Sequence, residues 1–301
     1  MVSTTFYWLL NMSLAASAAG LAILLVRRIP GVPRFAVYSL WGIVLLRLVV
    51  PVSVAYRYSL MGLIASLTSP TVVPVGEGSF TNMIQAANAY GPVHYRTPAL
   101  TQVFAVASVV WLAGAVLAWT AMAATYLAAS RQLRDAVRVD GNLYRSVRVD
   151  SPCVVGLLRP RIVVPEGMEG EALEWALHHE RIHLRRRDNV TRAVALAVCG
   201  LHWFNPLVWL FLKAFFQDME SACDAGVLKG RSEPERRAYA RALLDCADSR
   251  RRLPVPAFGG GTVRRRIALL LAYRPYAFAA LLGFSALWAA IAVALLANPP
   301  A

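Results

Sequence analysis

Residues 169–189 read Glu-Gly-Glu-Ala-Leu-Glu-Trp-Ala-Leu-His-His-Glu-Arg-Ile-His-Leu-Arg-Arg-Arg-Asp-Asn. Acids gather at the start of this stretch (Glu166, Glu169, Glu171 and Glu174), and Arg185, Arg186 and Arg187 close it. That order of charge suits a helix macrodipole and predicts one helix over about 169–187. Within it, His179-Glu180-Arg181-Ile182-His183 is an H-E-x-x-H motif. The i, i+4 spacing sets both imidazoles on one face, one turn apart, where they can grip a single zinc ion. Glu180 is rotated about 100° around the axis from His179, so it can act on a water as general base without being a ligand.

A catalytic zinc site normally takes a third protein ligand. Downstream, Asn205-Pro206 has the form of an N-cap followed by proline at the first helical position, and Gly230 the form of a stop. The helix between them carries Glu220 and Asp224, again at i, i+4. Glu220 would complete a His-His-Glu set, and Asp224 could orient a ligand histidine through its second ring nitrogen. Residues 189–201 form an apolar helix that returns the chain, so the third ligand arrives on a helical hairpin. Cys223 is a competing ligand, whereas Asp218 faces elsewhere on the helix. His178 is read as supporting or surface, and His202 as packing or as a contact to the reaction oxyanion.

Working outward from the motif, short β-branched runs at 143–150, 153–156 and 161–165 predict a small sheet of about three strands. An extended peptide could add to it near 161–164. The four cysteines show no C-x-x-C pairing, which fits buried thiols in a reducing compartment.

Beyond this segment the composition changes. Residues 1–127 hold six Arg, no Lys and one acid (Glu77), leaving 25 of 31 basic and 16 of 17 acidic residues to the remainder. With 57% hydrophobic and only 16% charged residues overall, the chain is no ordinary cytosolic enzyme, disordered chain or disulfide scaffold. Four apolar runs, at about 5–26, 35–56, 102–127 and 276–297, are each long enough to cross the hydrocarbon layer. The first ends at Arg27-Arg28 with no positive charge before it, the reverse of a secretory signal, and is read as an uncleaved anchor. Arg47 lies inside the second run, where it either has a function or snorkels to the outer headgroups.

The positive-inside rule makes the 27–34 turn cytoplasmic, the loop at 57–100 external and the segment at 128–274 cytoplasmic. Both termini are then outside. The net charge of +14 could point to nucleic acid, but no stripe of Arg interleaved with aromatics is present. The Arg clusters at 27–34, 131–138 and 264–274 instead flank the spans, orienting them and touching anionic lipid. The expected fold is a mainly α integral membrane protein of four transmembrane helices, with a cytoplasmic α+β zinc peptidase domain inserted between the third and fourth. The boundaries are 1–127, 128–274 and 275–301.

The chain resembles the membrane-embedded zinc peptidases of the BlaR/MecR type, the beta-lactam sensor-transducers of the gluzincin group. The likeness rests on Ser151-Pro152 through Gly156-Leu157 to Arg159-Pro160-Arg161-Ile162-Val163-Val164-Pro165, on His179-Glu180 to His183, and on Asp188-Asn189. It continues through His202 to Trp209, Glu220-Ser221-Ala222-Cys223-Asp224 and the stretch from Trp41 to Pro51. It implies a zinc-dependent endopeptidase of the bacterial inner membrane, with His179, His183 and Glu220 as Zn2+ ligands and Glu180 as base. It also implies an external signal, a cytoplasmic repressor as substrate, and self-cleavage, for which the basic segment 250–262 is a candidate. A homodimer is a further expectation; direct nucleic-acid binding is not.

Classical sensors carry a penicillin-binding domain after the fourth span, whereas this sequence ends at Ala301. Sensing would then fall to the outer loop, the spans or another protein. The rivals are a heat-shock-type quality-control metalloprotease and a non-catalytic receptor or scaffold. Three spans before the motif and the 202–209 stretch argue against the first, and the intact Glu180 and ligand set against the second.

Overall fold

The computed structural model describes residues 2–29, 32–50, 98–248 and 263–271, together with 283, 286 and 288–290. Most of the predicted outer loop, the end of the second predicted span, the basic segment 250–262 and nearly all of the fourth span lie outside the described residues. The chain divides into two compact units. One comprises residues 1–119, 198–211 and 277–301, and the other residues 120–197 and 212–276.

The first unit is built on α1 (Val2–Val26), α2 (Arg34–Val49) and the opening part of α3 (Pro98–Gln132). Two stretches, Thr5–Val26 and Gln102–Gln132, are long and apolar enough to cross a membrane. Residues 198–211 group with these helices although the sequence reading assigns them to the 128–274 segment. The reason is in their side chains, which are large, aromatic and matched to the helices around them. The Trp111 indole donates to the Leu201 carbonyl at 2.9 Å, and the Trp203 indole donates to the Trp111 carbonyl at 3.0 Å. Asn205 donates to the hydroxyls of Ser13 and Ser17 at 2.7 and 2.8 Å. His202 Nε2 meets the Leu48 carbonyl at 2.9 Å, one of the orphan acceptors in the last turn of α2. Two glycines permit close approach. A Cβ on Gly20 would fall 2.3 Å from the Phe211 ring, and one on Gly114 2.3 Å from the Trp203 ring. Arg47 is buried in this unit, so its side chain does not reach outward.

The second unit holds a four-stranded sheet in the order β1-β2-β4-β3 (Val137–Asp140, Leu143–Ser146, Arg161–Pro165 and Cys153–Val155). The strand β1 adds to the three expected. It is four residues long with every side chain exposed, Val137 and Val139 included, and it is joined to β2 through Gly141-Asn142 with Gly141 at φ 47°. β2 and β4 run parallel, and the other pairs are antiparallel. β4 is therefore central, with Ile162, Val163 and Val164 buried. This corrects the expectation that a peptide could pair at 161–164, because both sides of β4 are taken and the sheet's edges are β1 and β3.

Helix α4 (Gly170–Arg186) packs on β3 and β4. Arg187, in the left-handed region at φ 54°, ends it by donating its N–H to the carbonyls of His183 and Leu184. α5 (Asp188–Leu201) begins at the next residue. Asn189 pins this corner to the β3–β4 turn, donating to the Gly156 carbonyl at 2.7 Å. Helix α6 (Pro206–Leu228) opens with Asn205 Oδ1 accepting the Leu207 N–H at 3.0 Å, and Gly230 follows its end at φ 76°. Ser232 and Glu235 form a capping box ahead of α7 (Glu233–Asp248), with Glu235 accepting from the Ser232 N–H at 2.7 Å. Val227, Leu228, Tyr239, Ala240 and Leu270, with Trp175 and Ile182 against them, bind α4, α6, α7 and α8 (Val263–Leu271) into one core. Each large apolar side chain buried there contributes roughly 1.5–3 kcal/mol.

Candidate metal centre

Helices α4 and α6 bring three donors to one point. His179 Nε2 and His183 Nε2 are 3.1 Å apart. Glu220 sets one carboxylate oxygen 3.6 Å from each of them, Oε2 toward His179 and Oε1 toward His183. A four-coordinate zinc ion with bonds near 2.0–2.1 Å separates its ligand atoms by about 3.3 Å, so the three spacings fit one cation of that size. All three side chains are buried. Glu180 is buried beside them, the next residue along α4 from His179.

The electrostatics point the same way. Burial alone would keep the imidazoles neutral, but Asp188, Cys223 and Glu220 overcome it and push His183 up to about 12. Burial is likewise outweighed at His179, raised to about 10 by the Cys223 sulfur and by Glu220. Glu220, despite its own burial, is held well below the usual carboxylate range by both histidines and by Arg266. The point where these atoms meet draws positive charge.

Each ring nitrogen that faces away from this point has its own support. His183 Nδ1 meets Asp188 Oδ2 directly at 2.6 Å. His179 Nδ1 meets the Tyr239 hydroxyl at 2.8 Å, and that hydroxyl donates to Asp224 Oδ1 at 2.7 Å. Asp224 itself lies 3.5 Å from His179 Nδ1 and accepts two bonds from the Arg266 guanidinium, at 2.8 and 2.6 Å. The remaining Arg266 nitrogen is 3.5 Å from Glu220 Oε2, and Arg192 pairs with Glu220 Oε1.

Cys223 needs weighing, since His179, His183 and Cys223 also lie close enough to share an ion. Its sulfur, however, is 3.6 Å from His179 Nδ1 and donates to the His179 carbonyl at 3.4 Å. The thiol also reaches His183, so Cys223 and Glu220 both stand at the two imidazoles, and Glu220 is the one that sets an oxygen 3.6 Å from each Nε2.

Of the residues singled out in the sequence, the structure brings together His179, Glu180, His183, Glu220, Cys223 and Asp224. His202 belongs to the first unit, where its Nε2 meets the Leu48 carbonyl. The structure also adds Asp188, Arg192, Tyr239 and Arg266. Asp188 had a local signal, an acid directly after a basic helix end and five residues past His183. Tyr239 and Arg266 had none. Arg266 departs from the expected place of the 264–274 cluster at a span's flank, because its own guanidinium is buried against Asp224.

A family profile described as BlaR1 peptidase M56 matches residues 7–270. The chain belongs to the BlaR1 peptidase family. Among curated relatives, the Regulatory protein BlaR1 of Bacillus licheniformis is 31% identical over 105 residues, covering 34% of this chain and 18% of that protein. The Methicillin resistance mecR1 protein of Staphylococcus aureus is 29% identical over 106 residues, with the same 34% and 18% coverage. The aligned stretch thus spans less than a fifth of each of these relatives' lengths. The family is described as one of peptidases, and the cluster around His179 is one that could hold a metal ion.

Proposed function

We propose that the protein is a membrane-embedded zinc-dependent endopeptidase that acts as a signal transducer, cutting a cytoplasmic transcriptional repressor. The observation that carries this reading is the meeting of His179 Nε2, His183 Nε2 and the Glu220 carboxylate within 3.6 Å, in a chain of the BlaR1 peptidase family. His179, His183 and Glu220 hold the ion. When bound, zinc supplies Lewis acidity, which polarises a carbonyl and acidifies a water. Glu180 takes the proton from the attacking water as the new C–O bond forms, then delivers it to the amide nitrogen as the C–N bond breaks. The products are a carboxylate and an amine. An extended substrate adds to the edge strand β3, against which α4 packs, by backbone hydrogen bonds.

The membrane setting is supported by the two long apolar helices and by the Arg residues that flank them. The peptidase segment then faces the cytoplasm, with both termini outside. The test is Glu180→Gln. Purified Glu180→Gln protein keeps its zinc by elemental analysis and loses cleavage by about 100-fold or more, the contribution of a positioned base. Cleavage at the wild-type rate rules the mechanism out. Comparing the cytoplasmic proteins cut in wild-type and Glu180→Gln cells identifies the substrate. One repressor supports the transducer reading, and many misfolded membrane proteins support a quality-control protease instead.

A further inference from the structure

The two histidines of the centre are supported differently. His183 Nδ1 faces a carboxylate, Asp188, at 2.6 Å. His179 Nδ1 faces a neutral hydroxyl, Tyr239, and the carboxylate stands one bond further away. Only one arrangement of protons satisfies every atom of that second chain. Arg266 has donors alone and a carboxylate acceptors alone, so Asp224 takes two guanidinium N–H groups. Asp224 Oδ1 also lies 2.7 Å from the Tyr239 oxygen, so the phenol O–H must point at Asp224. The Tyr239 oxygen is then left as an acceptor toward His179 Nδ1, which must carry the proton. With the Nδ1 proton held by this chain, Nε2, which faces His183 and Glu220, is the nitrogen left to give its lone pair to an ion.

We infer that Arg266, Asp224 and Tyr239 act as one positioning relay that fixes the tautomer of His179 and so presents its Nε2 lone pair to the metal. None of the three touches the ion. The relay crosses three elements, with Asp224 on α6, Tyr239 on α7 and Arg266 on α8. All three side chains are buried, so solvent cannot take the place of a missing link. The second contact of Arg266, 3.5 Å from Glu220 Oε2, ties the same guanidinium to the third ligand. The helix that follows the basic segment 250–262 is thereby wired to the metal site, although no spacing rule connects Arg266 to the H-E-x-x-H motif.

The inference rests on the zinc reading above, and the experiment separates the two. Zinc affinity of the full chain in detergent is measured by chelator competition, and the histidine tautomers of the zinc-loaded protein are read from long-range proton–nitrogen spectra of 15N-histidine-labelled material. Tyr239→Phe is expected to weaken zinc binding about 10- to 100-fold and to remove the fixed Nδ1–H signature of His179 while leaving that of His183. Arg266→Met is expected to weaken it similarly, with Arg266→Lys recovering part of the loss.

Because the residues form one chain, Tyr239→Phe combined with Arg266→Met costs less than the product of the two single losses, any excess over either alone coming from the contact of Arg266 with Glu220. Tyr239→Phe combined with Asp188→Asn, which acts on the other histidine, costs the product of the two single losses. Unchanged affinity and an unchanged His179 signature in both Tyr239→Phe and Arg266→Lys overturn the relay, as does full multiplication of the Tyr239 and Arg266 effects. Failure of the wild-type chain to bind zinc overturns the metal reading itself.

Discussion

The two units bury polar groups in opposite ways. Around α1, α2 and residues 198–211, the buried Arg47 aside, the hydrogen bonds join neutral partners: Asn205 to Ser13 and Ser17, the Trp111 and Trp203 indoles to carbonyls, and His202 to the Leu48 carbonyl. Around His179 the buried partners are charged, with Glu220, Asp224 and Asp188 set against Arg266 and the two histidines, and the part-exposed Arg192 beside them. A neutral bond can be lost at the cost of one modest interaction, about 0.5–1.5 kcal/mol net. Losing one member of a buried charge network leaves another uncompensated, at about 3–5 kcal/mol. The first unit is therefore tolerant where it is polar, and the second is not.

The strongest way to break this contrast is Asp224→Ala. It removes both Asp224 bonds of the buried Arg266 guanidinium, leaving it the 3.5 Å contact with Glu220, and removes the acceptor of Tyr239. A loss of about 3–5 kcal/mol in denaturant unfolding is expected. A loss below about 1 kcal/mol would mean that water reaches Arg266 and that the network is not buried in solution.

Removing the metal comes next. A ligand present at one hundred times its Kd stabilises the form that binds it by about 2.7 kcal/mol. Zinc added to chelator-stripped protein should thus slow amide exchange in α4 and in residues 218–228 of α6, leaving α1 and α2 unchanged. Equal protection in both units would erase the distinction between them.

The smallest effect expected is that of Asn205→Ala. It removes the N-cap of α6 and two bonds to serine hydroxyls, all neutral, and should cost about 1–2 kcal/mol in thermal unfolding. Zinc affinity should stay at the wild-type value. A loss as large as that of Asp224→Ala would show that the neutral network bears as much as the charged one.

Much of the centre was legible because it lies on two helices whose local rules are strong. The i, i+4 spacing of His179 and His183 and that of Glu220 and Asp224 specify a face before any fold is known. The Asn205-Pro206 start and the Gly230 stop bound the helix that carries the second pair. The strand β1 was not legible, since an exposed strand carries no burial pattern. Tyr239 escaped as well, for a tyrosine on an amphipathic helix looks like core, and packing against Val227 and Leu228 is indeed half of what it does. Arg266 was misread because an arginine between two others beside an apolar run has the signature of a membrane flank.

The sequence by itself determined the covalently local facts: which residues share a helix face, where helices start and stop, which segments are apolar enough for a membrane, and which side of each span is basic. Those follow from periodicity, capping chemistry and charge, all expressed within a few residues. Only the tertiary structure decided that Glu220 and Cys223 both come to the two imidazoles, that residues 198–211 group with the long apolar helices, and that Tyr239 and Arg266 stand behind His179. These depend on which faces of separate helices meet. That is settled by packing across the whole unit, where sequence separation no longer measures distance.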